Sequence, residues 1–88
     1  MARYQVSYDL RKQRNYDELY KALEAYGAIR ILESDWLLQS TQTTGQIRDS
    51  LARHIDGDDA LFVAALTGGA AWQGRLLVSD EAVKNKLA

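Results

Sequence analysis

The run Ala-Leu-Phe-Val-Ala-Ala-Leu-Thr at 60–67 is the hardest part of this 88-residue chain to accommodate. Leu61, Val63 and Ala65 point one way along an extended backbone and Phe62, Ala64 and Leu66 the other, so a strand here is apolar on both faces. It needs cover above and below. A domain of this size buries only roughly two-thirds or less of the surface its unfolded chain exposes. A second layer and a partner subunit are therefore both expected, the partner covering Leu61, Val63 and Ala65 on the face opposite Phe62.

Tyr4–Leu10 supplies a contrasting strand, in which Tyr4, Val6, Tyr8 and Leu10 alternate with Gln5, Ser7 and Asp9. One face packs and the other is polar. Asn15 and Glu18 then stand at capping-box spacing and predict a helix to about Tyr26, with Tyr16, Leu19, Tyr20 and Leu23 on its stripe and Gly27 as its left-handed stop. Ile29–Glu33 and Trp36–Thr41 read as a hairpin turning at Ser34-Asp35. Thr43 and Gln46 repeat the capping box, Ile47, Leu51 and Ile55 follow on one stripe, and Asp56-Gly57 closes that helix.

Strand, helix, strand, strand, helix, strand is the order of the ferredoxin-like βαββαβ sandwich, an α+β fold with two helices on one face of an antiparallel sheet. The bare face predicts a face-to-face homodimer. The whole of 1–88 forms a single domain, and after a Gly68-Gly69 hinge residues 70–88 form its C-terminal tail. That tail holds Trp72, an edge strand at Leu76–Val78, and a helix from Ser79 with Val83 and Leu87 on one stripe, placed to cross to the partner.

The chain has no Cys, which excludes disulfides, thiolate nucleophiles and Cys-built zinc sites. Its one histidine, His54, falls near the end of the second helix, where a cation complements the dipole. Hydrolase triads are therefore unsupported, and no Gly-rich phosphate cradle stands between a strand and a helix. A net charge of −1 and pI near 5.7 exclude a broadly basic surface but leave room for a local one. Met-Ala-Arg runs directly into the first strand without an apolar leader, and no apolar run has membrane-spanning length, so a cytoplasmic protein without membrane contact is expected.

The chemistry concentrates where the first strand ends. Asp9 is followed at once by Arg11, Lys12 and Arg14, a carboxylate at a strand mouth beside three cations, which is a corner suited to phosphate. The plainer alternative is a solvated Asp starting a turn, followed by a solvated basic loop. Arg30 interrupts an apolar strand and is a further candidate phosphate contact, emerging on the open face; its alternative is an edge-strand Arg whose stem lies along apolar surface.

Tyr8-Asp9-Leu10 ending strand one, Leu23-Glu-Ala-Tyr-Gly27 ending helix one and Ser34-Asp-Trp36 entering strand three resemble the Cas-two superfamily, the smaller CRISPR-associated adaptation nuclease-like proteins and their VapD-type ribonuclease relatives. Ala70-Ala-Trp72-Gln-Gly74 looks like the SinR-like branch of that superfamily. The resemblance covers roughly Ala2 to Gly69. It implies a homodimer in which Asp9 of each subunit faces its symmetry mate and holds a divalent metal, with Ser34 and Trp36 in structural positions. The implied function is a Mg²⁺-dependent endonuclease acting on RNA or DNA, with Asp9 catalytic and Arg11, Lys12, Arg14 and Arg30 binding nucleic acid. The alternative is a non-catalytic dimeric adaptor that binds nucleic acid or protein through the same surface. An adaptation integrase or an antitoxin is the protein partner such a relative would have.

Overall fold

A computed structural model of the chain describes residues 1–12 and 15–88. Its elements are β1 (Ala2–Asp9), α1 (Asp17–Ala25), β2 (Ile29–Leu32), β3 (Asp35–Ser40), α2 (Thr44–Ala52), β4 (Ala60–Leu66) and α3 (Asp80–Leu87). The strands form one sheet in the order β2-β3-β1-β4, every neighbour antiparallel. This small α+β architecture is consistent with a ferredoxin-like arrangement.

Period two places Tyr4, Val6 and Tyr8 on the face that α1 and α2 cover, and the register sets Trp36 opposite Val6 and Leu38 opposite Tyr4. Leu19 and Leu23 of α1 and Ile47 and Leu51 of α2 are fully buried against them. Each such side chain contributes about 1.5–3 kcal/mol relative to an exposed one. The α2 capping box forms as expected: Thr43 Oγ1 accepts from the Gln46 N–H at 3.1 Å, and Gln46 Oε1 from the Thr43 N–H at 2.9 Å. The α1 box does not form. Tyr16 is the N-cap residue, Asn15 Oδ1 accepts from the Asp17 N–H at 2.8 Å, and Glu18 turns to Lys21. An Asn that bonds two residues ahead has closed a local turn instead of capping the helix. Gly27 stops α1 at φ +74°.

Both faces of β4 are accounted for by its pairing with β1. Leu61 and Val63 lie opposite Tyr8 and Val6 and pack on the helix-side core, whereas Phe62, Ala64 and Leu66 lie opposite Ser7, Gln5 and Arg3 on the other face. The side that needs outside cover is thus that of Phe62, not that of Leu61.

The tail supplies part of this cover within its own chain. Gln39 Nε2 donates to the carbonyls of Lys86 and Ala88 at 2.9 and 3.2 Å, Arg3 donates to the Leu87 carbonyl, and Lys86 Nζ to that of Gly27 at 2.8 Å. Arg3 and Gln39 are cross-strand partners on the face away from α1 and α2, so α3 lies on that face, across the β2–β3 half. Val83 is 2% exposed and Leu37 4%, and both lie outside the main core cluster. The tail therefore docks in cis instead of crossing to a partner, because β3 carries an apolar side chain on this face too and α3 buries it. Leu76–Val78 is not an edge strand. It meets β2 through a hydrogen bond, Leu77 N–H to Ile31 C=O at 3.0 Å, beside an irregularity in the β2–β3 ladder between Arg30 and Leu32.

Candidate functional site

Asp9 ends β1 on the face of Gln5 and Ser7, and its side chain is 69% exposed. The backbone turns there because the 56–59 loop meets it: the Arg11 N–H donates to Asp59 Oδ1 at 2.7 Å, and Arg11 Nη1 to the Asp58 carbonyl at 2.9 Å. The same guanidinium folds back on Asp9, with Nη2 3.1 Å and Nε 3.3 Å from Oδ2. Lys12 pairs with Asp58 at 2.9 Å. Two of the expected phosphate contacts thus already face carboxylates, in exposed pairs of a kind that contribute about 0–1 kcal/mol and exchange readily with solvent or ligand. Arg14 lies outside the described residues.

Arg30 is not on the open face. It pairs with Trp36 across the β2–β3 ladder and so shares the face of the helices. Its guanidinium lies 5.0 Å from the Tyr20 ring centroid and 5.7 Å from that of Trp36, and it donates to the Glu33 carbonyl at 2.5 and 2.9 Å. Tyr20 and Trp36 stack at 6.3 Å, and Tyr8 Oη accepts from Trp36 Nε1 at 3.0 Å. Trp36 is therefore a structural ring on which a cation rests. Ser34 accepts the Tyr8 N–H through its carbonyl at 3.1 Å, fixing the hairpin tip to β1.

These placements converge on a polar cleft of about 460 Å³ at the mouth of β1. Asp9, Lys12 and Arg30 line it together with Tyr8, Tyr16 and Tyr20, while Arg11 stands outside it. Burial, then the neighbouring Asp59 carboxylate, raises the Tyr16 hydroxyl above its usual pKa; burial also raises that of Tyr8. Both are neutral donors at physiological pH.

Sequence reasoning missed two carboxylates. Asp59 accepts from the Arg11 and Asp56 N–H groups and from Tyr16 Oη, knitting the loop to β1, and the Asp56-Gly-Asp-Asp59 turn was its only sign. Asp35 accepts from Gln5 Nε2 at 3.0 Å and from Ser7 Oγ on the open face. Among the described residues no three His, Asp or Glu side chains form a metal-holding group. One exposed carboxylate under a guanidinium is half a donor set for Mg²⁺, which takes one or two carboxylates with water and phosphate oxygens. Among the described residues no helix is long and apolar enough to cross a membrane.

No family model matches the chain. Among solved structures it is similar to a hypothetical protein, TT1823, from Thermus thermophilus, at 23% identity and a TM-score of 0.72 over 88% of this chain and 95% of that one. At that identity the likeness is one of fold.

Proposed function

We propose that the protein is a ferredoxin-like nucleic-acid-binding adaptor of the Cas-two superfamily that works as a homodimer and grips phosphodiesters in the cleft at the mouth of β1. The observation that carries this reading is the convergence of Lys12 and Arg30 with the Tyr8, Tyr16 and Tyr20 side chains on one polar cleft. Cations neutralise phosphate, while the Tyr8 and Tyr16 hydroxyls, which donate to the Glu33 carbonyl and to Asp59, hold the wall of the cleft in place. Arg30 already lies over the Tyr20 and Trp36 rings, which orients its guanidinium without a ligand. Asp9 and Glu33, which line the cleft, and Asp58 and Asp59, which pair with Lys12 and Tyr16 beside it, hold affinity down. Binding to a labelled single-stranded RNA or DNA is expected to be weak and steeply salt-dependent. Lys12→Ala and Arg30→Gln should each lower the affinity and reduce the salt slope by about 0.7 per lost contact. Tight binding in high salt, or binding indifferent to both changes, would place the contacts elsewhere.

A second reading, a Mg²⁺-dependent endonuclease, is favoured by one feature: the exposed Asp9 carboxylate lines the same cleft as the two cations. It requires Asp9 of a second copy to complete the donor set. Cleavage by wild type with Mg²⁺ or Mn²⁺ that disappears in a folded Asp9→Asn variant would establish it. A wild type inert across RNA, DNA, metals and pH leaves the adaptor.

A further inference from the structure

At the other end of β1, six residues and roughly 20 Å from Asp9, the docked tail encloses a second cavity of about 370 Å³. Its walls come from three sources: Arg3 and Leu66, partners across the β1–β4 ladder; the chain leaving β4 through Gly68, at φ +87°, to Trp72; and Lys84 and Leu87 of α3. The cavity exists because α3 folds back over the sheet.

The lining is specific in character. Leu66, Ala70 and Leu87 make it apolar, while Arg3 and Lys84 enter from different elements and no carboxylate residue lines it. Arg3 donates from one guanidinium nitrogen to the Leu87 carbonyl, which fixes the group at the wall; a guanidinium carries five N–H donors in all. Among the described residues Lys84 has no ion-pair partner within 4.0 Å. Trp72 Nε1 donates to Asp80 Oδ1 at 3.0 Å, so the indole is anchored by its edge to the start of α3. An anchored aromatic ring, apolar walls and two cations in a concavity of ligand size are the parts from which small-molecule sites are built.

We propose that this cavity is a binding site for a small organic anion, a flat aromatic ring carrying one acidic group, with the ring against Trp72 and Leu66 and the acid between Lys84 and Arg3. The site is independent of the cleft at the far end of β1. An aromatic carboxylic acid and a nucleoside monophosphate share this chemistry, so 1-naphthoate and adenosine monophosphate serve as probes, with 1-naphthamide and adenosine as uncharged counterparts. The two tryptophans give separate indole N–H signals in ¹H–¹⁵N NMR: Trp72 reports this cavity, and Trp36, which donates to Tyr8 Oη and lies under Arg30, reports the cleft at the mouth of β1.

Saturable movement of the Trp72 signal, with Trp36 still, is expected for at least one of the acids. Naphthoate alone would mark an aromatic-acid site and the monophosphate alone a nucleotide site; either supports the proposal. Lys84→Ala should weaken binding roughly tenfold, as loss of a charge-assisted hydrogen bond does, and the uncharged counterparts should bind the wild type correspondingly less well. The proposal is overturned by a Trp72 signal unmoved by either acid, by uncharged counterparts that bind equally well, or by a Lys84→Ala variant that binds as wild type.

Discussion

Tyr16 donates its hydroxyl to Asp59 at 2.9 Å, a bond that only the neutral phenol makes, and ionisation would set a phenolate against a carboxylate. Tyr8 is held neutral chiefly by burial. Both folded-state pKa values lie above the ordinary phenolic 10.0, so the folded state binds these protons more tightly than the unfolded one. The resulting stabilisation is present in full below pH 10.0 and is lost as the pH rises through the raised values. The urea midpoint should fall on that alkaline limb, and Tyr16→Phe or Tyr8→Phe should each flatten the fall. An alkaline slope identical in both variants would show that other groups cause it. Asp9 at a strand mouth was legible because side-chain period two is a local property. The face of Arg30 was not, because it depends on pairing with Trp36 across a ladder that is irregular one residue later.

Among the elements, α3 carries the clearest consequence. Its cap was readable: Ser79 Oγ accepts the Ala82 N–H at 3.1 Å, with Asp80 and Glu81 in the first turn. Its destination was not, although a sign existed in Trp36-Leu37-Leu38, which makes β3, like β4, apolar at both parities. A strand between two layers needs a second layer, and the tail is the element left to supply it. Val83→Asp places a charge where the side chain is 2% exposed. It should disfavour docking by at least about 2 kcal/mol. Hydrogen exchange should then rise in 79–88 while β1 and β3 keep their protection. Exchange that rises equally in the core would mean that α3 is integral to the domain and not a layer laid upon it.

For the whole molecule, the order of elements along the chain was legible because few topologies suit two helical stripes and a hairpin between terminal strands. The association state depends on what α3 leaves uncovered, and that is the β1–β4 half of the open face. Phe62 is 64% exposed there, opposite Ser7, with Ala60 and Ala64 on either side of it along β4. A large apolar side chain among small neighbours at the sheet edge suits a two-fold contact in which each Phe62 lies against the other copy's β4. Asp9 is two residues beyond Ser7 on the same face, so an axis near Phe62 brings the two Asp9 carboxylates toward each other as well. Light scattering at micromolar concentration should report a dimer, and Phe62→Asp a monomer with unchanged circular dichroism, since burying each Phe at the contact contributes about 1.5–3 kcal/mol. Nucleic-acid titration of that monomer then separates the two functional readings. The β1-mouth cleft is built within one chain, so the adaptor keeps its intrinsic affinity and loses only the gain from two linked sites. The nuclease loses its activity outright, because a donor set shared between two Asp9 side chains does not exist in the monomer. A wild type already monomeric at this concentration would remove the shared carboxylate site and leave the cleft as a single-chain binding surface.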